Sequence, residues 1–157
     1  MRWRKPDPSA ELTMTDLTLA QAQTILAASL DHGRASNFQK LAIAVLDARG
    51  AMKAFAAEDG TSLARGEIAR GKAFGAVAVG VGSRALHRMA GERPHFVESL
   101  HSALGGPMVP VAGGVLIRDN AGTLLGAVGI SGDTSDNDEA AAMAGIAAAG
   151  LAGDPGK

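Results

Sequence analysis

Residues 109–149, VPVAGGVLIRDNAGTLLGAVGISGDTSDNDEAAAMAGIAAA, constrain this chain more than any other stretch. An apolar strand hinged on glycines runs over about Val111–Arg118, and Asp119-Asn120-Ala121-Gly122 makes a tight turn into a second strand, Leu124–Ser131. An acidic junction then opens an alanine-rich helix that reaches about Ala149. A shorter echo lies upstream, where Leu41–Leu46 and Met52–Ala57 flank Asp47-Ala48-Arg49-Gly50. Connections this short force antiparallel pairing, because a parallel crossover needs about a dozen residues. Two hairpins, each followed by a helix, predict an α+β fold: one compact antiparallel sheet with helices packed on it.

The helices announce their ends. Thr18-Leu19-Ala20-Gln21 fits a capping box, an apolar stripe follows through Ala22, Ile25, Leu26 and Leu30, and Gly33 can close that helix. Thr61 or Ser62 caps a second helix to about Val79, and Ser83 caps a short third one through Met89. Pro94 suits the first turn of a helix over Glu92–Leu104, which Gly105-Gly106-Pro107 ends. Ser135, with Asp138 three residues on, marks the start of the last. This divides the chain into a flexible arm over 1–16, a single domain over 17–151 and a frayed tail over 152–157.

With 157 residues the chain has room for a full core without staples. A net charge of −1 offers no attraction to nucleic acid or an acidic membrane. The absence of Cys excludes disulfides, thiolate metal sites and Cys nucleophiles. The longest apolar run, around Phe74–Val81, is too short to span a bilayer. MRWRKPDPSAELTMTD lacks the apolar region of a secretory signal, so a cytoplasmic location is expected. Trp3, Phe38, Phe55, Phe74 and Phe96 are all the aromatics, whereas alanine and glycine abound. Faces so poor in large side chains bury modestly within one copy, which points to a homo-oligomer.

No Walker, nucleophile-elbow, zinc-protease or calcium-loop motif is present. His95 and His101 stand six apart on one predicted helix, about 240° around its axis, so the helix cannot aim both at one metal. His32, near a helix C-terminus, suits the dipole there. In SRALHRMAGERPHF, Arg84, Arg88 and Arg93 flank His87 and admit two readings: a solvated helix face, or a cluster holding carboxylates. Lys72 has Ile68, Ala69, Gly75 and Ala76 as helical neighbours, so its amine either snorkels to water or enters a pocket. Asp138 and Glu139 open the last helix, as capping charges or as acceptors in a site.

AIAVLDARGAMKAF, IARGKAFGA and GGVLIRDNAGTLLGAVGISGDTSDNDEAAAMAG resemble the GlcG/HbpS family, the haem-binding or haem-degrading DUF336 proteins, over roughly Leu17–Leu151. The C-terminal domain of PduO-type proteins is similar. Asp47, Gly50, Lys72, Gly113, Gly114, Gly126, Gly129, Ser131, Gly132, Asp138 and Glu139 match the family pattern. Leu116 departs from it where proline is common, and Ala56-Ala57-Glu58-Asp59-Gly60 stands where arginine-methionine-aspartate-glycine is usual. The resemblance implies a profilin-like or PAS-like sandwich of five antiparallel strands, with the fifth near Met108–Val111 or lost among the glycines. It also implies dimers or larger rings.

Three functions follow. The first is haem binding, for haem handling or redox sensing, with His87, His95, His101, Arg84, Arg88, Gly113 and Gly114 as the cofactor-binding candidates. The second is an enzyme acting on a small organic acid, with Lys72 orienting or protonating and Asp138 or Glu139 as base. The third is a sensory or scaffold module without chemistry. The first two share an expected cleft in which Lys72 offers a cation, Asp138 an acceptor, and Gly113-Gly114 allow a haem propionate or small carboxylate to approach.

Overall fold

The computed structural model describes residues 16–157. The arm expected over 1–16 therefore lies, but for Asp16, outside the described residues. Five helices and five strands follow in the order α1 (Leu19–Ala35), β1 (Ala42–Asp47), β2 (Met52–Ala57), α2 (Leu63–Val79), α3 (Ser83–Glu92), α4 (Pro94–Leu104), β3 (Gly114–Arg118), β4 (Leu124–Ser131), α5 (Ser135–Ala148) and β5 (Ala152–Asp154). The strands make one antiparallel sheet ordered β2-β1-β4-β3-β5.

The two hairpin turns are built alike, from a side chain the sequence repeats. Asp47 Oδ1 accepts from Arg49 N and Ala51 N at 2.9 and 3.0 Å, and Gly50 N donates to the Asp47 carbonyl. Asp119 Oδ1 accepts from Ala121 N and Thr123 N at 2.9 and 2.8 Å, and Gly122 N donates to the Asp119 carbonyl. In each case the carboxylate satisfies amides that the turn leaves outside the ladder. The capping box at Thr18 and Gln21 is formed in both directions.

Side-chain size alternates across the sheet and decides how close each helix comes. One face presents Ile43, Val45, Val115, Ile117, Val128 and Ile130 to α1 and α5, where Ile25, Ala141, Ala142 and Ile146 complete the main core. The other presents Ala42, Ala44, Leu46, Leu116 and Ala127 to Ala69, Ala73 and Ala76 of α2. With so little side chain between them, α2 lies almost on the backbone of β4. Leu86, Val97 and Met108 make a smaller core beneath α3 and α4.

Several boundaries differ from the sequence reading: Gly33 lies inside α1, which runs on to Ala35, α3 extends to Glu92, α4 starts at Pro94 and β3 at Gly114. The residues read as a frayed tail form β5, which pairs with β3 through Leu116–Asp154, Ile117–Gly153 and Arg118–Ala152. The fifth strand is therefore there and not near Met108–Val111. Thr134, one residue before Ser135, caps α5 by accepting from Asn137 N. Ser83 is the first residue of α3 and fully buried, with Gly82 at the cap.

Candidate functional site

Lys72 sits mid-helix on the side of α2 that meets the sheet, and the small residues around it let its stem run inward. Its Nζ donates to the Ile130 carbonyl at 2.9 Å and to Asp138 Oδ2 at 3.0 Å. Both side chains are 2% exposed. Asp138 arrives from the first turn of α5, and its Oδ1 accepts from Asp133 N at 3.0 Å. The structure thus brings together two of the residues that the sequence singled out.

Gly113 closes the pair. Its φ is +116°, and a Cβ there would stand 2.9 Å from Lys72 Nζ and from the Ile130 carbonyl, and 3.1 Å from Asp138 Cβ. Only glycine fits both the backbone and the space. Beside it, Gly114 N donates to Ser83 Oγ at 2.6 Å, and a Cβ on Gly114 would overlap the Lys72 carbonyl. Gly113 and Gly114 therefore admit Lys72, Asp138 and Ser83 in place of the ligand expected to approach them. Burial pulls the Lys72 amine below its ordinary pKa and pushes Asp138 above the carboxylate range, while the attraction between the two opposes both shifts. Sealed in this way, the pair fastens α2 to the end of β4 and to the start of α5. Neither group is open to a substrate.

Glu139, 6% exposed, faces elsewhere: it accepts from Arg84 Nε at 2.8 Å, and Asp136 accepts from Arg84 Nη2. The hydrogen bonds to Glu139 and then to Asp136 hold the guanidinium above its ordinary pKa. Arg88 Nη1 donates to the Gly156 carbonyl at 2.7 Å. With Ala140, Met143 and Lys157, these residues line a cleft of about 640 Å³ between α3, α5 and the C-terminal residues. An adjoining hollow of about 130 Å³ shares Arg84 and Asp136 and adds His87, Val111, Ala112 and Ser135.

The other candidates are dispersed. Arg93 stacks over Phe96, 4.4 Å from the ring centroid. His95 and His101 are exposed on α4 and line neither opening. His32 meets Phe38 edge-on at 5.7 Å. Among the described residues no three His, Asp or Glu side chains gather as a metal site. Sequence reasoning missed Met143 and Lys157 as lining residues and read Ser83 as a cap. Met143 follows Glu139 by one helical turn, a spacing that could have placed it on the same face.

Sheet order and helix placement define an α+β domain of the HbpS/PduO-like kind. A PduOC–haem complex superposes with a TM-score of 0.76 at 25% identity, covering 87% of this chain and 96% of that one. HbpS gives 0.74 at 27% identity over 90% and 96%, and a double mutant of HbpS from Streptomyces reticuli gives 0.75 at 26% over 94% and 97%. No curated protein matches by sequence. The chain belongs to the HbpS-like family, described as haem-degrading proteins, whose model matches residues 17–147. Among the described residues no helix is long and apolar enough to cross a membrane.

Proposed function

We propose that this protein binds haem, in the service of haem handling, at the cleft between α3, α5 and the C-terminal residues. The observation that carries the reading is the lining of that cleft, where Arg84, Arg88 and Lys157 stand beside the apolar surface of Ala140 and Met143. Its volume of about 640 Å³ lies within the range of small-molecule sites, about 300–1,000 Å³. Guanidinium groups suit propionates, and among the described residues Arg88 spends one donor on a carbonyl and none on a carboxylate. Arg84 is already oriented by Glu139 and Asp136, so it loses little freedom on binding. The Met143 thioether in this cleft and the His87 imidazole in the adjoining hollow are the side chains that could face iron. Bound haem would supply redox-active iron, while the chain binds and orients the macrocycle. Family membership and the likeness to a PduOC–haem complex support the same ligand.

Haemin titration followed in the Soret band tests this. The parent should saturate with one haem per chain, Arg88→Ala should bind about tenfold or more weakly, as expected for one charge-assisted hydrogen bond, and His87→Ala should shift the band. His95→Ala and His101→Ala should match the parent. Parental binding by both Arg88→Ala and His87→Ala would move the site elsewhere.

Homo-oligomerisation belongs to this reading. Met52 and Phe55 on β2, together with Leu63 at 91% exposure, leave an apolar patch beside a strand edge that is unpaired among the described residues. Such a patch beside an open edge is what a subunit contact covers. Light scattering should give a multiple of the chain mass at micromolar concentrations, and Leu63→Glu should reduce it. A monomeric parent would overturn this part.

A further inference from the structure

The lead into β1, the end of β4 and the start of α2 meet at a cleft of about 340 Å³ that shares no lining residue with the one above. Its walls carry the Lys40 ammonium, the Arg65 guanidinium, the Thr61 and Ser62 hydroxyls and the Gln39 carboxamide, with Gly60 and Gly132 between them. Among the described residues no carboxylate lines it. Among the described residues neither Lys40 nor Arg65 forms a salt bridge.

Two of the nearby acids, Asp133 and Glu58, are committed to other groups. Asp133 accepts from Gln39 N at 2.6 Å, Thr134 N at 2.7 Å and Asn137 Nδ2 at 2.7 Å. Glu58 accepts from Leu41 N at 2.8 Å and Arg34 Nε at 3.1 Å. Asp59 lines the neighbouring cleft of about 380 Å³, which Lys40 also borders, and makes no salt bridge to Lys40 among the described residues.

The backbone that carries Lys40 and the side chain of Arg65 are held in place. The Asp133–Gln39 bond pins the segment that carries Lys40, and Gly132 lets that segment press on the end of β4, since a Cβ there would overlap the Lys40 carbonyl. Arg65 Nη1 reaches the buried Ser131 hydroxyl at 3.3 Å. The Ser62 hydroxyl precedes α2 without capping it and so remains available.

From this arrangement we infer that the cleft is a second ligand site, for a small oxyanion: the phosphate of a monoester or the carboxylate of an organic acid. Two cations that form no salt bridge among the described residues, one of them a planar fork, match the charge and geometry of such a group, and the hydroxyls complete its hydrogen bonds. The inference stands independently of haem.

Calorimetric titration at about 0.15 M salt, where diffuse attraction is screened within about 8 Å, tests it with two probes, inorganic phosphate and succinate. Binding of either by the parent, weakened at least tenfold in Arg65→Gln and in Lys40→Met, is the expected result. Preference for phosphate identifies a phosphate-bearing ligand, and preference for succinate an organic acid. Arg65→Lys keeps the charge without the fork and should bind more weakly than the parent but more tightly than Arg65→Gln. Arg88→Met, in the haem cleft, should bind the probe like the parent. Thermal unfolding of each variant verifies that it is folded. The inference is overturned if neither probe binds the parent, if both cleft variants bind like the parent, or if Arg88→Met loses binding to the same extent.

Discussion

Lys72→Met is expected to destabilise the protein by about 3–5 kcal/mol, because it removes one partner of a buried ion pair and leaves the other. Methionine fills much of the stem's volume, so packing survives. What is lost is the cation that Asp138 and the Ile130 carbonyl share. The pH dependence separates this cause from lost packing. Burial already raises Asp138 above its ordinary value of 3.8, and removing Lys72 raises it further. Above 3.8 the folded variant holds a proton that the unfolded chain has released, so its stability falls as pH rises through that window. The difference from the parent should therefore be small near pH 4 and widen toward neutrality. Adding Asp138→Asn removes the orphan charge, keeps an acceptor for Asp133 N, and should recover most of the loss. Urea unfolding at pH 4 and pH 7 measures all of this. A deficit independent of pH would assign Lys72 to packing alone.

How the pair closes was only partly legible beforehand. A lysine among Ile68, Ala69, Gly75 and Ala76 is anomalous on any helix, and an acid at the start of α5 can be placed from the motif. That the two meet without water depends on the spacing between α2 and the sheet. That spacing follows from small residues on strands far apart in sequence, and no local window contains them. The hairpins were legible because Asp47 and Asp119 carry their turns locally. β5 was not, since Ala152–Asp154 is too short to show alternation and owes its place to β3, with Arg118 paired to Asp154. The cleft beside α3 was half legible. Arg84 and Arg88 share one helix face, but Met143 and Lys157 reach it through tertiary structure.

Gly129→Ala should be the most damaging single methyl group that can be added to the sheet. Gly129 lies in the middle of β4, paired with Ala44 on one side and Gly114 on the other, so the strand cannot shift without disturbing both ladders. A Cβ there would overlap the Ala69 carbonyl and stand 2.8 Å from Ala73 N, and both of these atoms belong to the α2 backbone. No rotamer relieves a clash between a methyl and a helix backbone, so α2 itself must lift. Lifting it draws Lys72 away from Ile130 and Asp138 and uncovers Leu46, Leu116 and Ala127. The cost should therefore exceed the about 1–3 kcal/mol of ordinary overpacking. At about 2–4 °C per kcal/mol for a chain of this size, the midpoint should fall by roughly 10 °C or more. Gly91→Ala is the matched control. Gly91 lies within α3 with nothing within 4 Å of a Cβ, so alanine should be neutral or stabilise by about 0.5–1 kcal/mol. Calorimetry of the two variants beside the parent decides the matter: equal midpoints would mean that α2 does not rest on the β4 backbone, and the sealed Lys72–Asp138 junction would lose its structural basis.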